Sequence, residues 1–333
     1  MAPRISVLLP CFNHGAFVAE AVESVRAQTF QDFEIVVVDD GSTEPATVAA
    51  LDALAGPRVR VLRTANRGLP AARNYAAAHA AGEFFCALDA DDRLAPTWFE
   101  KAVAVLDARP EIGFVSHWLE TFGDEHWTWA PERCDLPSLL ARNAVNGAAL
   151  VRRAAFAEAG GYEESMREGC EDWDFWLRLV ERGRQGYIVP EVLFYYRRRA
   201  DSMSRLMLDE QAYRRPLRAL VARHAASYDA HLVEVLVAKE REALHLANEI
   251  ADLERGRLME LEPALRRARE EHAAVSAKAD RARAEREKEE EREHLGWKAG
   301  ELEREVRDLR ASWSWRITAP LRRIFELLGG GRR

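Results

Sequence analysis

Residues 83–92 read Glu-Phe-Phe-Cys-Ala-Leu-Asp-Ala-Asp-Asp, and this stretch decides how the fold is interpreted. Its first six residues are mostly apolar and continuous, as in strands that are buried on both faces. Asp89, Asp91 and Asp92 follow at once. Because neighbouring carboxylates repel one another, such a cluster favours a cation near it. We consider Mg²⁺ or Mn²⁺ carrying phosphate oxygens, against the alternative of a polar turn that caps the next helix.

The residues before this stretch alternate between apolar runs and helical periodicity. Strands are predicted at residues 5–10, 33–38 and 59–62, and helices at residues 17–28, 47–54 and 68–81. This alternation predicts an α/β fold with a doubly wound, mostly parallel sheet. In such sheets ligands bind at the carboxyl ends of the strands, and polar loops follow three of the predicted strands here. We therefore expect the functional site at that edge.

Length and composition limit the class of protein. A chain of 333 residues suggests about two domains, and the net charge of −7 gives no reason to expect nucleic acid as a partner. Four cysteines stand far apart, without metal-like spacing, which favours reduced thiols in a cytosol. The apolar run near the N-terminus is too short for a signal peptide, and no apolar stretch is long enough to span a membrane.

The loops predict a nucleotide site of an unusual kind. No Gly-x-Gly-x-x-Gly or Walker sequence follows the first strand, which argues against dinucleotide dehydrogenases and P-loop kinases. Phe12 could instead stack on a base, Asp40 could accept a hydrogen bond from a pyrimidine, and Arg73 could reach a carbonyl or phosphate. The alternatives are a core phenylalanine, a turn before Gly41 and a solvated helix residue.

A second group of candidate residues lies between residues 143 and 205. We predict a strand at residues 146–153 and a helix that begins near Glu171 and Asp172. Acids at a helix start are favoured by the helix dipole, but a carboxylate at the mouth of a pocket can also act as a general base. Trp173 and Trp176 offer flat surfaces for a sugar ring; in the alternative, Phe175, Trp176 and Leu179 form the core face of the helix.

Five short motifs together resemble a family 2 glycosyltransferase with the GT-A fold, over residues 4–205. They are Ser-Val-Leu-Leu-Pro-Cys-Phe-Asn at 6–13, Val-Asp-Asp-Gly-Ser at 38–42, Gly-Leu-Pro-Ala-Ala-Arg-Asn at 68–74, Leu-Asp-Ala-Asp-Asp at 88–92 and Glu-Asp-Trp at 171–173. The resemblance implies an inverting enzyme that uses a divalent metal and a nucleoside-diphosphate sugar, of the UDP or dTDP type. It also implies that Pro10, Phe12 and Asp40 hold the base and that Arg73 helps to hold the nucleotide.

The resemblance further implies the roles of the acidic residues. Asp91 would contact the metal, and Asp89 the ribose or the metal. Asp172 would be the catalytic base, with Glu171 beside it and Trp173 as a possible acceptor contact. A base is needed because the acceptor hydroxyl must lose a proton, while a metal neutralises the charge on the leaving diphosphate.

One position departs from the family pattern. Many relatives have Tyr-Arg-x-His-x-x-Ser-x-Ser near the end of the catalytic domain, and that histidine can complete the metal site. Here residues 196–204 place Arg199 at the histidine position. Arg199 either contacts the diphosphate as a charge clamp or faces solvent in a loop.

The last hundred residues predict helix. We divide the chain into a catalytic domain at 1–205, a helical connector at 206–230, a coiled coil at 231–312 and a tail at 313–333. Apolar residues follow a heptad seam whose phase slips after Leu253, and Pro263 is expected to break or restart the helix. The seam residues are Leu246, Ile250, Leu253, Leu258, Leu261, Leu265, Ala268, His272 and Val275, then Leu295, Ala299, Leu302, Val306 and Leu309. A coiled coil would form a homo-oligomer or dock a partner protein. The alternatives are a single solvated helix, or disorder around residues 281–293, where charge is nearly continuous.

The tail combines tryptophan, aliphatic and basic residues. Trp313, Ile317, Leu321, Ile324 and Leu328 fall on one helical face, and arginines lie among them. Such a segment suits a membrane interface, or it packs on the catalytic domain or a dimer mate. It resembles the Ser-Trp-Arg-Ile-Thr-x-Pro-Leu-Arg ending that follows coiled coils in bacterial surface-polysaccharide transferases.

These observations lead to one interpretation and two rivals. We expect a metal-dependent inverting glycosyltransferase, cytoplasmic and peripheral on the inner face of the membrane, that acts on a glycan or lipid-linked acceptor in polysaccharide synthesis. A nucleotidyltransferase would also use paired carboxylates, but it would need a Gly-rich basic loop near the first strand. A non-catalytic coiled-coil scaffold with a vestigial nucleotide-sugar domain is the second rival.

Overall fold

The structure is a computed structural model, and it describes residues 2–199, 209–281 and 286–311. The chain divides into two compact units, Met1–Leu236 and Val237–Arg333. The first unit holds a sheet with helices on both of its faces. The second unit, in its described part, consists of long helices.

The first half of the sheet follows the predicted alternation. Its strands and helices are β1 (Ile5–Cys11), α1 (Val18–Arg26), β2 (Phe33–Asp40), α2 (Pro45–Leu54), β3 (Val59–Thr64), α3 (Leu69–His79) and β4 (Phe84–Ala87). Strands β3, β2, β1 and β4 lie side by side in that order, and all are parallel. Their carboxyl ends therefore meet at one edge, which confirms the predicted place of the polar loops.

The second half of the sheet is mixed, which the sequence did not predict. It contains β5 (Arg93–Leu94), α4 (Trp98–Ala108), β6 (Ile112–Gly123), β7 (Thr128–Trp129), α5 (Leu136–Ala141), β8 (Leu150–Arg152), α6 (Arg153–Ala159), α7 (Glu171–Glu181) and β9 (Gln185–Arg198). β8 pairs antiparallel with β4 and β6, and β9 pairs parallel with β6 and antiparallel with β5. The predicted strand at 146–153 is reduced to β8, because Asn146–Ala149 forms a loop at the site edge.

Two apolar cores explain why these strands are buried on both faces. Alternate residues of β1 point to opposite sides: Ile5, Val7 and Leu9 face the core under α1, α2 and α4, while Leu8 faces the core under α3, α6 and α7. This period of two is the consequence of strand geometry. The continuous apolar runs of the first half arise because helices cover both faces.

The predicted connector belongs to the first unit. It forms α8 (Glu210–Arg223) and α9 (Ala225–Ala230), followed by α10 (Leu232–Arg281). Leu220 is fully buried in the core beside α7, and Tyr228 donates a hydrogen bond to the carbonyl of Leu140. The boundary predicted at residue 205 is therefore too early, because the apolar face of α8 completes the core.

The second unit pairs α10 with α11 (Arg286–Ala311) within one chain. Leu258, Leu261 and Val306 form one apolar cluster, and Leu265, Ala268 and Ala299 form another, with Leu302 in contact with both. Residues of increasing number on α10 meet residues of decreasing number on α11, so the helices are antiparallel. Ion pairs flank the seam between Arg257 and Glu305, Arg269 and Glu303, and Arg310 and Glu262.

Two expectations about α10 are corrected. Leu246 and Leu253 are exposed, and the buried row instead runs through Ala247, Ala251, Glu254, Leu258, Leu261, Leu265 and Ala268, with spacings of four and three and no phase slip. Helix α10 also continues through Pro263 without a break. A proline inside a helix removes one hydrogen bond, and the leucines on either side of it pack in the seam and support the helix there.

Within the described ranges, no helix is long and apolar enough to cross a bilayer. The predicted tail from Trp313 to Arg333 lies outside the described residues, as does the end of the motif after Arg199. The predicted membrane contact therefore stays a prediction.

Candidate active site

The loop after β1 carries an exposed aromatic ring on an anchored backbone. Phe12 is 43% exposed at the carboxyl end of β1, so it is not a core residue, whereas Pro10 is buried within the strand. Asn13 adopts a left-handed conformation with φ of 55°, and its Oδ1 accepts the backbone N–H groups of Thr43 and Glu44 at 2.9 and 3.2 Å. The loops after β1 and β2 are thus held together, with the Phe12 ring available for stacking.

Asp40 fixes the loop that leads into α3. Its Oδ1 accepts the N–H of Arg67 at 2.9 Å, and its Oδ2 accepts the N–H of Gly68 at 2.8 Å. Gly68 has φ of 91°, which favours glycine at this turn. Asp40 is 3% exposed, and both of its oxygens serve the loop backbone. The predicted hydrogen bond from a base to Asp40 stays a prediction. In that hydrogen bond, one Asp40 oxygen would accept from the base and from the loop backbone at the same time.

The three carboxylates after β4 have different environments. Asp92 is buried and accepts the N–H of Arg197 at 2.8 Å, so it belongs to the protein interior. Asp89 and Asp91 remain partly accessible, with side-chain exposures of 35% and 14%. Burial and the neighbouring Asp89 raise the pKa of Asp91, although His14 and Arg199 act against this. Asp89 and Asp91 are therefore the two carboxylates that can meet a ligand.

Arg73 connects the two halves of the predicted site. Its Nη2 lies 2.7 Å from Asp89 Oδ1 and its Nη1 lies 2.7 Å from Glu171 Oε1. The side chain is 2% exposed, and the guanidinium also lies 5.3 Å from the ring centre of Tyr162. The alternative of a solvated helix residue is therefore wrong, because a buried guanidinium needs such carboxylate partners.

Asp172 stands beside this bridge with an unusual proton affinity. Burial, together with the adjacent Glu171, raises the pKa of Asp172 to about 7, while Arg73 counteracts the shift. Its Oδ1 accepts the N–H of Trp173 at 2.7 Å and its Oδ2 accepts the amide of Asn143 at 3.2 Å. A pKa near neutrality suits a general base, because the group can both accept and release a proton at the working pH.

The position of α7 is fixed by Asp174, two residues after Asp172. This fully buried carboxylate binds Arg178 and Arg223 at 2.7 Å each and His224 at 3.2 Å. Although burial opposes ionisation, these hydrogen bonds lower the pKa of Asp174 to about 2. The cluster ties α7 to α8 and so fixes the direction of Asp172.

Trp173 does not have the predicted surface position. It is 5% exposed, and its indole N–H donates to the carbonyl of Leu139 at 2.6 Å. The expectation that Trp173 contacts the acceptor is corrected: the ring packs in the core, and its polar atom is used to hold α5 against α7.

Arg199 lies next to the carboxylates, not in open solvent. Its Nη2 is 3.5 Å from Asp91 Oδ2 and 3.2 Å from His14 Nε2, and its guanidinium lies 4.7 Å from the ring centre of Phe17. Residues more than 100 positions apart thus meet at one point.

Two residues of this site carried no assignment from the sequence. His14 follows the first strand without a recognisable pattern, and Asn143 precedes a strand without any charge or spacing signal. Only the folded chain shows that they contact Arg199 and Asp172. The position of His14 in the loop after the first predicted strand is a signal that could have identified it. The sequence contains no comparable signal for Asn143.

The donor atoms fit a divalent ion that is shared with a ligand. In the part of the chain that the structure describes, no group of three His, Cys, Asp or Glu residues could hold a metal alone. Asp89 and Asp91 still supply hard carboxylate oxygens on one loop. Mg²⁺ is commonly held by one or two carboxylates together with substrate phosphates, and this donor set matches that arrangement.

Comparison with known families gives a consistent result. Residues 6–161 match the family model described as Glycosyl transferase family 2, and residues 131–247 match the one described as Glycosyltransferase like family 2. EpsE of Bacillus subtilis (strain 168), described as a glycosyltransferase, is 28% identical over 215 residues, which are 61% of this chain and 76% of EpsE. An uncharacterized glycosyltransferase of Haemophilus influenzae is 28% identical over 200 residues, 57% of this chain and 67% of that protein.

Solved structures show the same fold. TarS of S. aureus, residues 1–349, matches with a TM-score of 0.54 and 19% identity, over 70% of each chain. Its complex with UDP-GlcNAc matches with a TM-score of 0.53 and 20% identity, over 60% of each chain. A further complex of TarS contains UDP.

Proposed function

We propose that this chain, a glycosyltransferase of family 2 with the GT-A fold, transfers a sugar from a nucleoside-diphosphate donor to a hydroxyl acceptor with inversion. A similar fold in TarS binds UDP-GlcNAc and UDP, which supports a UDP-sugar as the donor here. The observation that carries the proposal is the position of Arg73. Its guanidinium forms ion pairs with Asp89 on the donor side and with Glu171 on the acceptor side.

The donor would bind along the carboxyl edge of β1, β2 and β4. Phe12 would stack on the base, with Pro10 behind it in β1 and Asp40 at the end of β2. Arg73 would act from beneath, by orienting Asp89. Arg199 would contact the diphosphate, since a guanidinium matches phosphate oxygens well.

Enzymes of this family generally use divalent metals, and we assign Mn²⁺ or Mg²⁺ to Asp91 and Asp89. When bound, such an ion neutralises charge on the leaving diphosphate. Asp92 is excluded as a ligand, since it is buried and hydrogen-bonded to the backbone of Arg197.

Asp172 would accept the proton of the acceptor hydroxyl. Direct displacement needs this carboxylate on the face opposite the leaving group, and it needs no covalent nucleophile. Asn143 holds one oxygen of Asp172 in place, while the buried Asp174 cluster holds the helix. Glu171 is engaged by Arg73, so Asp172 is the better candidate of the pair.

A binding and hydrolysis screen tests this proposal. We expect thermal stabilisation and slow hydrolysis with one nucleotide sugar among UDP-, dTDP-, GDP- and CDP-sugars, measured at pH 8 with Mn²⁺. Asp91→Asn should keep the fold and lose hydrolysis, because the remaining carboxylate holds the ion more weakly. Asp107→Asn, an exposed carboxylate paired with Arg4, serves as the matched control. Lack of stabilisation and hydrolysis with every donor would refute the proposed function.

The acceptor and the location of the protein are proposed from the chain's last part. A glycan or lipid-linked acceptor at the inner face of the cytoplasmic membrane, in polysaccharide synthesis, would give the basic, aromatic tail a role. The helices of the second unit already pair with each other, and exposed apolar residues of α10, Leu246 and Leu253 among them, support a contact with a second copy or a partner protein.

Deletion of residues 313–333 tests the membrane contact. We expect the full chain to sediment with vesicles that contain phosphatidylglycerol, and the shortened chain to stay in the supernatant. Neutral phosphatidylcholine vesicles should bind the full chain more weakly, since the arginines contribute attraction. Equal sedimentation of both proteins would contradict this role of the tail.

A further inference from the structure

Arg199 is held beside the candidate metal ligand by three separate parts of the fold. It follows the end of β9, it lies 3.5 Å from Asp91 in the loop after β4, and it lies 3.2 Å from His14 in the loop after β1. The ring of Phe17 supports the guanidinium at 4.7 Å. This arrangement fixes a permanent positive charge beside Asp91.

The charge balance of this edge makes that cation consequential. A donor diphosphate has to approach Asp89 and Asp91, which repel it. Arg73 is divided between two carboxylates at 2.7 Å each, and it is buried beneath them. Arg199 contacts Asp91 at the longer distance of 3.5 Å, and its side chain is 20% exposed. A phosphate oxygen can therefore reach the guanidinium of Arg199, whereas Arg73 lies beneath its carboxylates.

We propose that Arg199 is a resident cation for the donor diphosphate, and that the chain binds nucleoside diphosphates without a divalent metal. This inference rests on the proposed function and makes it more specific. The guanidinium donates two N–H groups in a fixed fork that suits two phosphate oxygens, as a single imidazole cannot. The donor diphosphate can then bind without the metal, and any contribution of the metal is to the sugar-transfer step.

Calorimetric titration of the full chain at pH 8 tests the inference. The probes are UDP, dTDP, GDP and CDP, each with 5′-free nucleoside as the comparison ligand, in EDTA and in Mn²⁺. We expect the preferred diphosphate to bind in EDTA within about threefold of its affinity in Mn²⁺. Arg199→Ala should weaken its binding in EDTA by about 10- to 100-fold, the range for a hydrogen bond to a charged group, and leave nucleoside binding unchanged.

Two further variants separate charge from geometry. Arg199→Lys should recover part of the affinity in EDTA, because it restores the charge without the fork. Arg199→His should bind the diphosphate only with Mn²⁺, because an imidazole is a metal ligand and mostly uncharged at pH 8. Arg26→Ala removes an exposed arginine paired with Glu23 and is the matched control, expected to behave as the unchanged chain.

The outcomes distinguish this inference from the proposed function. Tight binding in Mn²⁺ that disappears in EDTA would overturn the inference and leave the glycosyltransferase assignment intact. Equal binding by Arg199→Ala and the unchanged chain in EDTA would also overturn it. Failure of every nucleoside diphosphate to bind, even with Mn²⁺, would overturn the proposed function and this inference together. Circular dichroism of each variant checks that it is folded.

Discussion

Asp172→Asn is expected to lower the rate of sugar transfer by about 10²- to 10⁴-fold, the range for loss of a general base. Its carboxylate form is required, and burial raises its pKa to about 7. The unchanged enzyme should therefore gain kcat/KM as the pH rises through about 7 and level off above it. Steady-state transfer between pH 5.5 and 9 measures both effects.

The same substitution should not reduce stability in alkaline solution. Because the folded-state pKa of Asp172 is raised above its ordinary value of 3.8, its ionisation opposes folding as the pH rises from about 4 to about 7. Asparagine removes that opposition, so the unfolding temperature of Asp172→Asn at pH 8 should equal or exceed that of the unchanged protein. If Asp172→Asn retained more than about half of the activity, Asp172 would not be the general base. Glu171 would then be the candidate, and Glu171→Gln the variant to measure.

Arg73→Met is expected to cost about 3–5 kcal/mol of unfolding free energy at pH 8, the range for removing one partner of a buried ion pair. Glu171 would be left buried without its cation, while Asp89, which is 35% exposed, would regain water. The lower end of the range is therefore expected. Urea denaturation followed by fluorescence measures it, and Arg26→Ala should lose about 1 kcal/mol or less as a surface pair.

The pH dependence of Arg73→Met has a defined sign. Because Arg73 lowers the pKa of Asp172, loss of the guanidinium leaves this buried carboxyl easier to protonate in the folded state, so that the folded variant takes up a proton as the pH falls. Its stability deficit should hence shrink from pH 8 to pH 5. The pKa of Asp172 should rise above about 7, since Arg73 lowers it, which moves the acid limb of the rate profile to higher pH. If the acid limb of the rate profile of Arg73→Met stayed at the same pH as in the unchanged protein, Arg73 would act on stability alone.

Local patterns were sufficient to predict the parallel half of the sheet. Strands β1, β2 and β4 are runs of apolar residues that end in polar loops, and the helices between them have an apolar face of regular period. Both signals arise within about ten residues. They also placed Asp40, Asp89 and Asp91 at one edge, because parallel strands carry their ends to the same side.

The remaining features depend on contacts between distant residues. Arg73 and Glu171 are 98 positions apart, and no local rule relates them. Trp173 was expected to face a sugar, but aromatic rings are common both in cores and in sugar-binding sites. Its contact with Leu139, which is distant in sequence, shows that it belongs to the core. On α10 the larger Leu246 and Leu253 suggested the seam, whereas the buried row contains the smaller Ala247 and Ala251.

The pairing of β5 with β9 has a consequence for synthesis on the ribosome. Arg93 pairs with Tyr195, so about 100 residues must emerge after β5 before that contact can form. At about 5–20 residues per second, this interval lasts about 5–20 s. Until then Asp91 lacks Arg199, and during the earlier part of this interval, before β8 has emerged, the edge of β4 has no partner strand. The nascent chain therefore displays an unprotected apolar strand and a half-built pocket, a stage at which chaperones have the most to shield.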